Sequence, residues 1–105
     1  MRRNEVRWYE FEFPNKKKPV LILTRDSIIG HLSEVTVAPI TSTVRNIPSE
    51  IRLTKTDGML RDCAINLDHL QTVSKSRIGK LITTVGQDKM DQVQTALLFA
   101  LGFDF

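Results

Sequence analysis

The apolar residues of this chain come in short bursts separated by proline, glycine and charge, and only one stretch, near the carboxy terminus, keeps helical spacing over several turns. Bursts of roughly four to eight residues read as paired strands rather than as a helical bundle. Over residues 6–13 aromatic side chains alternate with Glu10 and Glu12, so Tyr9, Phe11 and Phe13 are expected on one face of a half-buried strand that turns at Pro14-Asn15. Residues 19–24 read as a central strand, and residues 26–32 as a turn or short helical excursion around Gly30. Glu34–Thr41 reads as another strand, whose Pro39 implies an edge or a bulge. Asp57-Gly58 signals a hairpin between residues 51–55 and the stretch from Leu60. Residues 63–67, 70–73 and 81–85 supply the remaining strands. Gln87–Leu101 is the helix, with Asp88 in its first turn and Gly102 able to stop it. Met90, Val93, Leu97 and Leu101, beside Ala96 and Ala100, form its apolar stripe and are expected to pack on the sheet. The expected fold is mainly β: one domain, residues 1–105, built as a small, strongly bent antiparallel barrel closed by a carboxy-terminal helix.

Composition narrows the function classes. With 41% hydrophobic and 26% charged residues the chain of 105 is a folded globular sequence, and no apolar run approaches the roughly 20 residues of a membrane span. The basic amino terminus is followed by no apolar stretch, so a secretory signal is not expected, and the single cysteine, Cys63, fits a reducing cytoplasm. Seven of the fifteen Lys and Arg lie in the first 25 positions, against Glu5, Glu10 and Glu12. That surplus is either an edge facing phosphates or a solvated loop of lysines. A chain of this size buries only about two thirds of its unfolded surface, so a dimer interface would help it. Phe99, Phe103 and Phe105 either belong to that interface or close the monomer core.

His31 and His69 are isolated, no Cys/His spacing resembles a zinc site, and the aspartates are not set in a calcium loop. Neither a metal nor a cofactor is expected. What remains is a set of polar residues at strand ends: Lys18 before Pro19, Thr41-Ser42 after Ile40, Arg61-Asp62, and Asp68-His69-Leu70-Gln71. Each also has a structural reading, as a solvated lysine, a turn, a surface ion pair and a turn cap.

The order of four blocks carries a resemblance. They are Lys18-Pro19-Val20-Leu21-Ile22-Leu23-Thr24-Arg25-Asp26, Val37-Ala38-Pro39-Ile40-Thr41-Ser42, Pro48-Ser49-Glu50-Ile51, and Leu60 through Val73, followed by Ile78-Gly79-Lys80-Leu81 and the Ala- and Leu-rich helix. Together they resemble the MazF/PemK toxins, small RNA-cutting components of bacterial type II toxin-antitoxin pairs. Three departures stand out. Asn4-Glu5-Val6-Arg7 occupies the place of a Gly, an acid, an aliphatic and an aromatic; the loop at residues 14–17 is short; and Lys18 stands where an arginine is usual.

The resemblance implies an SH3-like or CcdB-like barrel, a cytoplasmic homodimer, and sequence-specific, metal-independent cleavage of single-stranded RNA by its own 2′-hydroxyl. It assigns Lys18 the arginine's role, with Thr41 as phosphate ligand and Ser42 as neighbouring donor; Arg25 or His69 is the alternative source of the missing function. Lys16, Lys17, Arg25, Arg45 and Lys55 are expected on phosphates, and Asp68, His69 and Gln71 on bases. A cognate antitoxin is the implied protein partner, with a flexible tail in the RNA channel. The rival readings are a noncatalytic RNA- or protein-binding barrel that has lost the arginine, and a CcdB-like toxin directed at gyrase.

Overall fold

The computed structural model describes residues 1–11 and 16–103. Among these, seven strands pair antiparallel: β1 (Glu5–Glu10), β2 (Lys17–Ile22), β3 (Glu34–Thr41), β4 (Glu50–Leu53), β5 (Cys63–Asn66), β6 (Gln71–Ser74) and β7 (Ile78–Thr84). A short helix, α1 (Asp26–Ile29), joins β2 to β3, and α2 (Gln87–Leu101) follows β7. The lateral order is β4-β5-β3-β2-β1-β7, with β6 also on β3. The curl comes from β3, which pairs first with β6 over Glu34 to Val37 and then with β5 at Ile40 and Thr41. One long strand thus serves two sheets and bends the whole into a half-barrel.

The apolar run of β2 works because both its faces are covered. Leu21 lies in one core with Val6, Ala38, Leu53, Ile65, Leu67, Val93 and Ala96, while Val20 and Ile22 lie in a second with Val35, Val37 and Val73. Each fully buried aliphatic side chain is worth about 1.5–3 kcal/mol. Pro39 is not on an edge strand, since β3 has partners on both sides. It sits where the outer edge of β3 changes partner, between Val37 paired with β6 and Ile40 paired with β5, so its missing N–H falls at an interruption of the ladder.

The hairpin around Gly58 exists with a longer connection than a two-residue turn. β4 pairs with β5 from Glu50↔Asn66 to Leu53↔Cys63, and the loop between them holds a 3-10 turn, Lys55–Asp57, capped reciprocally by Thr54 and Asp57. Gly58 follows at φ 93°, where a Cβ would run into the Thr83 side chain. β1 ends at Glu10, yet Phe11 still meets Tyr9 edge-on at a centroid distance of 4.6 Å. Phe13, the Pro14-Asn15 turn and Phe105 lie outside the described residues.

α2 has the expected bounds, and Gly102 at φ 79° ends it by donating to the carbonyls of Leu98 and Phe99. Val93 and Ala96 are buried and Met90, Leu97 and Ala100 pack on the core, against β4 and the 3-10 turn Leu67–His69. Leu101 leaves the stripe and is 54% exposed, forming with Leu98, Phe99 and Phe103 an apolar end to the helix. No helix among the described residues is long and apolar enough to cross a membrane.

Candidate active site

The pairing of β2 with β3 stops at Val20↔Pro39. The Leu23 N–H donates to the Thr36 carbonyl, so along β2 the alternate positions Leu21 and Pro19 turn their backbone toward β3, and Pro19 has no N–H with which to extend the ladder as donor. Continued two residues beyond the pairing, the same register would set Lys18 across from Thr41. A cleft of about 660 Å³ opens there, lined by both residues and by Lys17, Ser42, Arg45, Arg61, Asn66, His69 and Gln71, with Trp8, Phe11, Pro19, Ile40 and Ile82 among its apolar walls. Its four cations are accompanied by no carboxylate among the described lining residues. A second cleft, of about 690 Å³ between the amino terminus and α2, carries both signs of charge: Arg2, Arg3, Glu5 and Asp26. There Asp26 already accepts from the Arg3 N–H at 2.7 Å and pairs with Arg2 at 3.9 Å, so the first cleft is the better anion site.

Within it the donors are differently held. Thr41 Oγ1 accepts from the Thr43 N–H at 3.1 Å, which uses a lone pair and leaves the hydroxyl proton to donate. Lys18 Nζ lies 6.0 Å from the centre of the Phe11 ring and makes no ion pair among the described residues. Arg45 is anchored from one side: its N–H donates to Glu50 at 2.9 Å and its guanidinium reaches the same buried carboxylate at 3.4 Å. His69 Nδ1 meets the Asn66 amide at 3.2 Å. Cys63 also lines the cleft, but burial pushes its thiol up, reinforced by the Asp62 and Asp57 carboxylates, so it stays protonated and unreactive.

Of the residues singled out by sequence, the cleft gathers Lys17, Lys18, Thr41, Ser42, Arg45, His69 and Gln71. It does not include Lys16, Arg25, Lys55 or Asp68. Arg25 sits exposed before α1, and Asp68 accepts from the Ser49 hydroxyl at 2.5 Å, tying the turn to the segment before β4. The surface ion pair offered as the structural reading of Arg61-Asp62 does not form: Asp62 bonds Arg52 at 2.6 Å instead. Arg61 is thereby left lining the cleft without an ion pair among the described residues, a cation that adjacency in sequence had disguised. Asn66 and Trp8 were also missed, since only pairing of distant strands brings them to the site.

The family model for PemK-like, MazF-like toxins of type II toxin-antitoxin systems matches residues 2–101. The chain belongs to this family. Endoribonuclease MazF3 of Mycobacterium tuberculosis is 40% identical over 68 residues, 65% of this chain and 66% of that protein, just under two thirds of its length. The probable endoribonuclease MazF2 of the same species is 30% identical over 103 residues, 97% of this chain and 99% of its own. Among solved structures, the M. tuberculosis toxin MazF-mt6 matches with a TM-score of 0.88 at 30% identity, covering 96% of this chain and 99% of that one. A mycobacterial endoribonuclease in complex with its cognate antitoxin matches at 0.89 with 26% identity, covering 100% and 98%. One departure from the MazF/PemK pattern now has a physical account. Asn4, in the place of the usual Gly, has φ 76°, a left-handed conformation that Asn tolerates best after Gly, and its amide donates to the Val85 carbonyl at 3.3 Å.

Proposed function

We propose that this MazF/PemK toxin cuts single-stranded RNA in the cationic cleft, without a metal, through attack of the substrate's 2′-hydroxyl on the adjacent phosphorus. The 2′-oxygen–phosphorus bond forms as the bond to the 5′-oxygen breaks and the 2′-hydroxyl proton passes to water, giving a 2′,3′-cyclic phosphate and a 5′-hydroxyl. RNA brings its own nucleophile, so the protein has to hold an in-line geometry and stabilise the charge that accumulates on the phosphoryl oxygens. In this reading Lys18 supplies that charge and protonates the leaving 5′-oxygen, Thr41 donates its free hydroxyl proton to the same phosphoryl group, and Ser42 is a neighbouring donor. Lys17, Arg45 and Arg61 track flanking phosphates, while Trp8 and Phe11 offer faces on which unpaired bases stack. His69 and Gln71 read base edges, which duplex RNA would hide.

The observation that carries the reading is the meeting of three cations without an ion pair among the described residues, Lys17, Lys18 and Arg61, with Arg45 and a donor-ready threonine in one cleft, in a chain whose relatives are endoribonucleases. The antitoxin-bound mycobacterial relative supports a cognate antitoxin that blocks the cleft. The apolar end of α2 supports a homodimer, and the lone buried thiol a cytoplasmic setting. The test is product analysis on naked single-stranded RNA in EDTA. Cyclic-phosphate and 5′-hydroxyl ends, lost when a 2′-deoxynucleotide stands at the cut site, are expected. Fragments ending in 3′-hydroxyls would refute the mechanism, and RNA retained but uncut would favour the noncatalytic barrel that Lys18, in place of arginine, keeps open.

A further inference from the structure

The Asn66–His69 contact carries more than packing. Asn66 closes β5 as a buried residue, 8% exposed, and it caps the 3-10 turn Leu67–His69: its Oδ1 accepts from the Asp68 N–H at 2.9 Å. That bond fixes which end of the amide is oxygen, so the atom 3.2 Å from His69 Nδ1 is the NH₂ group, a donor with no lone pair to offer. Nδ1 must therefore be the acceptor, and a neutral His69 carries its proton on Nε2. Nδ1 is spent on Asn66, and His69 is exposed and lines the cleft, so Nε2–H is the polar atom the ring has left for a ligand. The charged neighbours do not compete for this arrangement: the Asp68 carboxylate is engaged by Ser49, and Arg45, Arg61, Lys17 and Lys18 are all donors.

We infer that Asn66 is a positioning residue that locks His69 as an N–H donor, and that the base it meets is selected for a keto oxygen, as in U or G, over an exocyclic amino group, as in C or A. This rests on the reading of the cleft as an RNA site. A fixed donor gains a hydrogen bond from a keto oxygen and is left facing another donor by an amino group, which is worth about tenfold in rate between the two.

Two measurements test it on the full chain. In protein labelled with 15N-histidine, with His31→Gln removing the other signal, long-range proton–nitrogen NMR of the neutral ring should show hydrogen on Nε2. Asn66→Asp keeps the turn cap but offers His69 an acceptor, and should move that hydrogen to Nδ1. Cleavage of a randomised single-stranded RNA pool, read by sequencing the new ends, should show one position with about a tenfold keto-over-amino preference. At a pH where NMR finds the ring neutral, Asn66→Asp should abolish or reverse that preference. His69→Gln, which can donate or accept, should flatten it. An Nδ1–H ring in the unaltered chain, or an Asn66→Asp protein that cuts with the original preference, overturns the inference while leaving the ribonuclease reading intact. A pool left uncut by the unaltered chain overturns both.

Discussion

Lys18→Ala is the substitution that most directly interrogates the site. The phosphorane formed by 2′-hydroxyl attack carries about one more negative charge than the ground state, and only interaction with that added charge accelerates the step. An ammonium about 4 Å away contributes about 1 kcal/mol in water and about 4 kcal/mol at an effective dielectric of about 20. Lys18 is exposed, which argues for the lower figure, but it faces a cleft walled by Trp8, Phe11 and Ile82 with no carboxylate among the described lining residues, which argues for the higher. A value near 2 kcal/mol corresponds to a loss of about thirtyfold. Single-turnover cleavage of a short single-stranded oligonucleotide in EDTA reads it without interference from product release. Lys18→Arg keeps the charge and adds a planar, two-pronged donor, so it should cut within about threefold of the unaltered chain or faster. A Lys18→Ala protein that cuts as fast as the unaltered chain would refute the assignment, and with it the idea that the register of β2 and β3 assembles the site.

Thr41→Val removes the donor while keeping the shape, and the exposed Thr43 N–H it frees can turn to water; single-turnover cleavage should fall about tenfold or more with stability nearly unchanged by thermal melting. Arg61→Ala should weaken RNA binding by about 1 kcal/mol and shallow its salt dependence by about one counterion, measured by fluorescence anisotropy across a salt series, whereas Arg52→Ala on the Asp62 pair should change neither. Stability should also depend on acid through Glu5. Burial would raise its carboxyl, but the Arg7 side chain at 2.8 Å and the Arg2 N–H at 3.0 Å outweigh that and hold it below its ordinary value. The stabilisation is therefore full above the unfolded carboxylate value and lost as pH falls through the lowered native one. Glu5→Gln should cost about 1 kcal/mol near pH 7, and in denaturant melts the gap between the two proteins should close as pH falls through the lowered native value, where Glu5 itself loses its charge.

Much of the fold was legible because its signals are local. The apolar run of β2, the Gln87–Leu101 periodicity and Gly102 need only neighbours a turn or a strand away to be read. Pro39 misled because its consequence depends on what lies across both edges of β3, which no window of sequence contains. The same distance hid part of the site. Arg61 and Asp62 are adjacent, yet the pairing of β4 with β5 presents Asp62 to Arg52 and frees Arg61 for the cleft. Asn66 read as one more strand residue because its partner, His69, meets it only after the 3-10 turn folds back.

The relation between core and site follows from that geometry. The β2–β3 pairing keeps one register from Ile22↔Val37 to Val20↔Pro39, so the burial of Val20, Leu21 and Ile22 against Val37 and Ala38 sets what Lys18 would face further along. A slip of one residue would expose this apolar run on the wrong faces and set Lys18 against Ile40 or Ser42, and the loss of several buried aliphatic contacts makes that state unfavourable by many kcal/mol. The exposed Lys18 and Thr41 have little packing of their own to hold them in place. Their place on one cleft is specified by the side chains two to four positions deeper in the strands, which is why a polar residue there can vary, as Lys18 does from the arginine usual in the MazF/PemK pattern, without disturbing the frame that carries it.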